Sequence, residues 1–197
     1  MANLVKLLPH QANLVQAPYV FPHIRFFALI AGYASGKTSA LVYCILYAVK
    51  TLLGKKDKEG HNPKIMIGSK NLTFMKKTLT GLLEQDLKDT NSTYNYDKAH
   101  NIITIGNVEL LLVPVEDESN IYGYSVTLVV IDELDELDTQ TAMAVVKSSN
   151  DRCRQQIEGW RSPAFIFCTS SQGLKGTYQT IMHFKKSGIG YVLMRAR

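Results

Sequence analysis

Ala31-Gly32-Tyr33-Ala34-Ser35-Gly36-Lys37-Thr38 is the segment from which the architecture of this chain of 197 residues can be inferred. It follows a continuous apolar run, Phe26 to Ile30, which is typical of a fully buried strand. Apolar residues at helical spacing follow it from Lys37 to Leu53. A small-residue loop between such a strand and helix can turn backbone amides and the positive end of the helix dipole toward an anion. The segment therefore predicts a phosphate-binding loop.

The residue types in this loop suggest how it would hold ATP. The backbone amides that we expect around the β-phosphate are those of Ala34, Ser35, Gly36, Lys37, Thr38 and Ser39. The Lys37 ammonium would reach the β- and γ-phosphates, and the Thr38 hydroxyl would be a ligand of Mg²⁺. The pattern GxxxxGK(S/T) has its first glycine where this chain has Ala31, with a glycine one residue later. The alternative interpretation is an ordinary helix that begins with a lysine after a small-residue turn.

Two carboxylates follow another buried apolar run. Thr127 to Ile131 is predicted to be a strand, and Asp132 and Glu133 come directly after it. A carboxylate buried at a strand end is costly without a cation or hydrogen bonds, so Mg²⁺ is the partner we expect for Asp132. Glu133 can then polarise a water aimed at the γ-phosphate, which predicts Glu133 as the catalytic base beside the catalytic cation Lys37. The alternative is a strand end with two solvated acids.

Polar residues after a further predicted strand extend the site. The apolar run Ala164 to Cys168 leads into Thr169, Ser170 and Gln172. If this strand lies beside the strand that ends at Asp132, the three polar side chains face the γ-phosphate and can sense its loss. An ordinary polar loop is the alternative. Negative charge is favoured at a helix start, so we assign no catalytic role to Asp135, Glu136 and Asp138.

Strands and helices alternate along the chain, which indicates crossover connections and a mostly parallel sheet covered by helices on both faces. Gly106-Asn107 joins two apolar runs and predicts a β-hairpin insertion over residues 101–113. The other predicted strands are Lys64 to Ile67 and Tyr191 to Met194, and the other predicted helices are Asn71 to Leu87, Thr139 to Lys147 and Leu174 to Lys186. We therefore expect one α/β domain with the P-loop NTPase fold of the ASCE type.

The composition is that of a soluble globular protein, with 46% hydrophobic and 20% charged residues. No apolar run is long enough for a membrane helix and the N-terminus lacks the order of a signal peptide, so we expect an intracellular protein. The first 83 residues contain 11 of the 22 Lys and Arg but only 2 of the 17 Asp and Glu. This basic half can attract a phosphate backbone. The three cysteines lack metal-site spacing and are expected to be buried free thiols.

The order and spacing of these motifs resemble the ATPase domain of the large terminase subunits of tailed bacteriophages, the motors that package viral DNA into procapsids. The segments that carry the resemblance, across residues 9 to about 183, are Pro9-His10-Gln11, the phosphate loop, Ile121-Tyr122-Gly123 before Leu128 to Glu133, and Thr169 to Gly173. The resemblance implies that Gln11 recognises adenine. It also implies that Thr169, Ser170 and Gln172 belong to a motif that couples hydrolysis to DNA movement.

Two residues depart from the family pattern. Tyr33 and Tyr122 stand where many members have arginines that could stabilise transition-state charge. The arginine finger is therefore not defined by the motifs. Candidates elsewhere in the chain, each also suited to a surface or ion-pairing role, are Arg152, Arg154 and Arg161. A neighbouring subunit in a ring is another source.

The resemblance also implies the setting in which the chain works. The cofactors would be ATP and Mg²⁺, the location the host cell cytoplasm, and the partners double-stranded DNA, a portal protein, a small terminase subunit and further copies of the chain in a ring. Family members carry a C-terminal nuclease of RNase H-like fold, and we expect residues 1–197 to be the ATPase domain without it. The alternatives are a helicase or another DNA-translocating ATPase, a P-loop kinase or nucleotide switch, and an assembly module that only binds ATP.

Overall fold

The computed structural model describes residues 7–32, 34–160, 164–170 and 176–195, with the backbone alone at residues 164 and 170. In these ranges one sheet of eight strands is flanked by six α-helices. The strands are β1 (Phe26–Ala31), β2 (Lys64–Ser69), β3 (Asn95–Asp97), β4 (Ile102–Ile105), β5 (Val108–Pro114), β6 (Leu128–Ile131), β7 (Ala164–Ser170) and β8 (Tyr191–Arg195). The helices are α1 (Pro9–Val20), α2 (Lys37–Leu52), α3 (Leu72–Lys77), α4 (Leu79–Asp89), α5 (Thr139–Arg152) and α6 (Gly176–Lys186).

The strand order is β3-β4-β5-β2-β6-β7-β1-β8. Neighbours from β5 to β8 in this order are parallel, and only the pairs β3–β4 and β4–β5 are antiparallel. Strand β7 lies between β1, which leads into the phosphate loop, and β6, which leads into the two carboxylates. This confirms the α/β P-loop NTPase fold of the ASCE type with a hairpin insertion. It also brings the ends of β1, β6 and β7 together at one edge of the sheet, called the carboxyl edge below.

The two faces of the sheet carry separate hydrophobic cores, because side chains alternate along each strand. Val130 of β6 packs in the core that contains α2 residues such as Leu41 and Ile45. Its neighbour Val129 packs on the other face, with Val145 of α5 and Phe184 of α6. Both faces are therefore covered by helices, and the strand ends at the carboxyl edge are held rigidly between them. Among the helices in the described ranges, none has the length and apolar character needed to cross a membrane.

The structure adds elements to the sequence prediction. The first helix, α1, was not predicted, and strand β3 extends the predicted hairpin to three strands. The predicted helix Asn71 to Leu87 is divided at Thr78, whose φ and ψ are −104° and −94° and whose hydroxyl donates to the Phe74 carbonyl oxygen at 2.9 Å. The backbone angles of Thr78 lie outside the helical region, so α3 ends at Lys77 and α4 begins at Leu79.

Candidate active site

The segment predicted to bind phosphate, called the phosphate loop below, connects β1 to α2 at the carboxyl edge. Ala31 is the last residue of β1, and Gly36 directly precedes α2 with a φ of 75°. Ala34 also has a positive φ, 54°, so the tight part of the loop lies at residues 34 and 36. The positive φ of Gly36 favours glycine, and a Cβ there would lie 2.5 Å from Nε2 of Gln11 and would displace that side chain. Tyr33 lies outside the described residues.

Side chains of helix α1 contact the backbone of this loop. Gln11, only 7% exposed, donates from Nε2 to the Gly36 carbonyl oxygen at 3.0 Å, and its Oε1 accepts from the Leu8 amide at 2.9 Å. Nε2 of His10 lies 2.8 Å from the Ser35 carbonyl oxygen. The contact made by His10 was not predicted, because it depends on an N-terminal helix that the sequence pattern does not reveal. The adenine-recognising role of Gln11 stays a prediction.

Lys37 and Glu133, the two residues predicted to be catalytic, lie together. The Lys37 ammonium donates to the Gly32 carbonyl oxygen at 3.0 Å and lies 3.5 Å from Oε1 of Glu133. Their side chains are 5% and 16% exposed, so the ion pair is largely shielded from water. Charges in such a setting interact more strongly than charges at the surface. The fold thus brings the lysine of the loop after β1 into contact with the carboxylate after β6, although the two are far apart in the sequence.

Asp132 and Thr38, the predicted metal ligands, are also in contact. The Thr38 hydroxyl donates to Oδ2 of Asp132 at 3.1 Å, and the Asp132 amide donates to the Gly68 carbonyl oxygen of β2 at 3.0 Å. Asp132 is 2% exposed. Burial and the neighbouring charge of Glu133 raise the pKa of Asp132 to about 6, although the Thr38 hydrogen bond and the charge of Lys37 act in the opposite direction. The site therefore holds an acid that favours a compensating cation or a proton.

The environment of Asp132 fits a magnesium ion. Its Oδ1 is buried and accepts no hydrogen bond from the described part of the chain, and a cation would satisfy such an oxygen. Among the residues that the structure describes, no three His, Cys, Asp or Glu side chains are grouped so that they could hold a metal. Mg²⁺ bound by Asp132 and Thr38 would therefore take its other ligands from phosphate oxygens and water, which is its usual habit.

The predicted sensor strand does lie beside the strand of the carboxylates, since β7 pairs with β6. Thr169 is 1% exposed, and its Oγ1 accepts a hydrogen bond from the backbone amide of Asp135 at 3.3 Å. Its hydroxyl is thus directed to the turn that follows Glu133. The side chain of Ser170 and the whole of Gln172 lie outside the described residues, so their predicted sensor role stays a prediction.

The described arginines are divided between the two edges of the sheet. Arg152 ends α5 and its carbonyl oxygen bonds to the segment ahead of β6, so Arg152 and Arg154 lie at the edge opposite the phosphate loop. The Arg152 guanidinium lies 5.6 Å from the centre of the Tyr122 ring. Arg195, at the carboxyl edge, is in register with the end of β1. Sequence alone did not reveal Arg195, because strand order is not visible in it. Arg161 lies outside the described residues.

A pH-dependent gain in stability is expected for Asp132→Asn without metal or nucleotide. The pKa of Asp132 is raised by folding, so the cost of its buried charge builds up between its ordinary pKa and about 6 and is full above that pH. Urea unfolding in a chelator should show the variant more stable by roughly 2–3 kcal/mol at pH 8 and nearly unchanged near pH 4.

The control for this measurement is Asp151→Asn, which neutralises an exposed acid in α5. Its free energy of unfolding should change little at either pH. An equal stabilisation by Asp132→Asn at both pH values would contradict the assignment of a raised pKa, because an uncharged effect does not depend on protonation.

Comparisons with known proteins give a structural likeness and no sequence match. No protein-family model matches the sequence, and no curated protein matches it. The large terminase of a thermophilic bacteriophage matches with a TM-score of 0.74 at 14% identity, over 97% of this chain and 46% of that chain. Other crystals of that terminase are complexes with ADP and with ATP-γ-S. This chain thus spans less than half the length of the terminase it matches.

Two further solved structures, from a second terminase and from a helicase, are similar to this chain. The ATPase domain of a Thermus phage large terminase matches with a TM-score of 0.63 at 13% identity, over 97% of this chain and 81% of that domain. The helicase MrfA matches with a TM-score of 0.60 at 16% identity, over 98% of this chain and 31% of its own length. At these identities the likeness establishes the fold, which terminase ATPase domains and this helicase share.

Proposed function

We propose that this chain is the ATPase domain of a phage large terminase, which hydrolyses Mg-ATP to drive double-stranded DNA into a procapsid. The observation that carries the proposal is the presence of two contacting pairs at one edge of the sheet. The Lys37 ammonium lies 3.5 Å from Oε1 of Glu133. The Thr38 hydroxyl lies 3.1 Å from Oδ2 of Asp132. Terminase ATPase domains share the whole fold, which supports packaging as the use of that hydrolysis.

The binding half of the mechanism follows from the charges at the loop. Lys37 would exchange part of its contact with Glu133 for the β- and γ-phosphates, which are stronger partners for an ammonium. Thr38 and Asp132 would hold Mg²⁺, which neutralises phosphate charge when it is bound. The amides at the start of α2 would add the positive end of the helix dipole. Lys37, the helix amides and the bound cation would each stabilise negative charge on the phosphate oxygens during hydrolysis.

The hydrolytic half rests on Glu133. Its carboxylate lies at the carboxyl edge beside Lys37, where it can accept a hydrogen bond from a water and hold that water in line with the γ-phosphate. Movement of Lys37 toward phosphate would release this carboxylate to act on the water. Binding of ATP and activation of the base are thus linked through one ion pair.

Adenine recognition by Gln11 is compatible with its present contacts. A glutamine amide offers two donors and two acceptor positions, and one of each is used by Gly36 and Leu8. One donor and one acceptor remain, which is the pair that the N7 and N6 edge of adenine requires. Guanine presents two acceptors on the same edge, so it would offer no donor to the second acceptor position of the glutamine oxygen.

Gln11→Ala is therefore expected to reduce the preference for ATP over GTP by about 10-fold or more, because an unmet polar group costs 1–3 kcal/mol. Calorimetric titration with each nucleotide measures the ratio of the two affinities. Gln16→Ala, an exposed position in the same helix, is the matched control. Equal loss of affinity for ATP and GTP in Gln11→Ala would instead indicate that Gln11 only supports the loop.

The proposed function is tested by phosphate release with Mg-ATP in the presence of linear double-stranded DNA, single-stranded DNA or neither. A packaging ATPase should be stimulated by the duplex and should separate no strands. Strand separation from a forked duplex would favour the helicase alternative, which the fold shared with MrfA also supports. Absence of both nucleotide binding and hydrolysis would contradict the proposal.

The remaining parts of the proposal follow the terminase comparison. The chain would work as one subunit of a ring in the host cell cytoplasm and would contact a portal protein, a small terminase subunit and DNA. Arg152 and Arg154 lie at the other edge of the same chain, so an arginine that completes the site could come from a neighbouring subunit or be Arg195, which lies at the carboxyl edge. Single-turnover measurements over a range of chain concentrations would detect completion by a neighbouring subunit as a rate that rises on assembly.

A further inference from the structure

Asp135 joins the turn that carries Glu133 to a helix far along the chain. It lies in the short 3₁₀ helix Leu134–Glu136 and is 8% exposed. Its Oδ1 accepts a hydrogen bond from the backbone amide of Thr177 at 2.7 Å. Thr177 is the second residue of α6, and amides in the first turn of a helix have no partner within the helix. Asp135 therefore caps α6 from another segment, which corrects the explanation of this acid as favoured by the start of its own helix.

Two further contacts surround this link: one holds the turn to β7, and the other packs the start of α6 against α5 and close to the turn. The backbone amide of Asp135 donates to Thr169 of β7, the strand between the two motif strands. A Cβ on Gly176, the first residue of α6, would collide with Ala142 and would lie 3.7 Å from the carbonyl oxygen of Leu134. The start of α6 is thus packed closely against Ala142 of α5 and lies within van der Waals contact of the turn.

The backbone of the turn is strained at Glu133. Glu133 has φ and ψ of 50° and 55°, in the left-handed region that a residue with a Cβ occupies only at a cost. Asp135 follows two residues later in the same short helix. A change in the backbone angles of Glu133 would rotate Asp135, and the 2.7 Å bond to Thr177 would then have to move α6 or break.

We propose that Asp135 is a positioning residue that transmits rearrangement of the Glu133 turn on ATP binding to helix α6. The inference rests on the proposed ATP site. Helix α6 leads into β8, and its Phe184 ring lies 4.4 Å from the ring of Phe26 in β1 and 6.1 Å from the ring of Tyr191, the first residue of β8, so a movement of α6 reaches β8. A change at the hydrolytic turn would thereby reach β8, which is separated from β6 by β7 and β1 in the sheet.

The test is hydrogen exchange of α6 in a Glu133→Gln background, where ATP is expected to stay bound. Mg-ATP should change the exchange rate of amides in the first half of α6 by roughly threefold or more. Adding Asp135→Ala should abolish this response while the ATP dissociation constant stays within about threefold. Asp135→Asn keeps an oxygen that can accept from Thr177 and should restore the response. A merely structural cap would alter exchange equally with and without ATP.

A second variant removes the same bond from the other partner. Thr177→Pro deletes the donating amide at a first-turn position where proline is tolerated, so it also tests the link if Asp135→Ala does not fold. The matched control is Asp138→Ala, since Asp138 caps α5 through the amides of Gln140 and Thr141 at 3.0 Å each. This control should keep the ATP response of α6.

The outcomes separate this inference from the function on which it rests. A response of α6 to ATP that persists in both Asp135→Ala and Thr177→Pro would overturn the role of Asp135, and so would the lack of any response in the parent. Failure of the Glu133→Gln parent to bind Mg-ATP in calorimetry would contradict the proposed ATP site instead.

Discussion

Glu133→Gln is expected to lower the turnover number for ATP by 10²–10⁴-fold while ATP remains bound, since a positioned base contributes about that much to hydrolysis. Glutamine has nearly the same shape but cannot take a proton from water. It also loses the ion pair with Lys37, 3.5 Å away, which frees the ammonium for phosphate. The affinity for ATP should therefore be equal or higher. Steady-state phosphate release and calorimetry with Mg-ATP measure the two quantities.

The control for this variant is Glu136→Gln. Glu136 belongs to the same turn and is exposed. Its turnover should stay within about twofold of the parent, because a solvated acid away from the phosphates contributes little. Normal turnover in Glu133→Gln would show that another residue orients the water.

Lys37→Ala is expected to weaken ATP binding and to reduce kcat/KM by at least about 10²–10³-fold, because it removes a charge aimed at the phosphates in a shielded site. Only 5% of the Lys37 side chain is exposed, so solvent would compensate little for the loss of its charge. The effect differs in kind from that of Glu133→Gln, since binding and turnover both fall. Calorimetry and phosphate release on the same two variants would display this difference.

Lys50→Ala provides the matched control, as Lys50 is an exposed lysine in the last turn of the same helix. Unchanged turnover in Lys37→Ala would rule out the phosphate-loop assignment. The thermal unfolding of both variants should also be measured, so that loss of activity can be separated from loss of the fold.

The sheet could be predicted from the sequence because its signals are local. The apolar runs around residues 26–30, 127–131 and 164–168 correspond to β1, β6 and β7, and each is short, continuous and followed by small or polar residues. The hairpin was marked by Gly106, which has a φ of 59°. The meeting of Lys37 with Glu133 also follows from a local rule, since ligands bind at the carboxyl ends of parallel strands.

The features that sequence did not reveal depend on distant partners. Helix α1 begins at Pro9 and contains Pro18, so its sequence does not show the regular apolar spacing of a helix. Contacts with the phosphate loop help to stabilise it. In the sequence Asp135 has the position of an ordinary acid in the first turn of a helix, and only its hydrogen bond with the Thr177 amide identifies it as a cap for α6. Strand β3, three residues long and mostly polar, is formed by pairing with β4 and carries no signal of its own.

The alanine at the end of β1 bears on how loops of this kind are detected in genomes. Ala31 is 1% exposed and pairs with Ser170 as the last residue of the strand, while the positive φ angles in the described part of the loop are those of Ala34 and Gly36. A methyl group is therefore accepted where the usual pattern demands a glycine. Pattern searches that insist on that glycine would discard this chain. Searches that require Gly-Lys-Thr after one buried strand, and an Asp-Glu pair after another, would retain it.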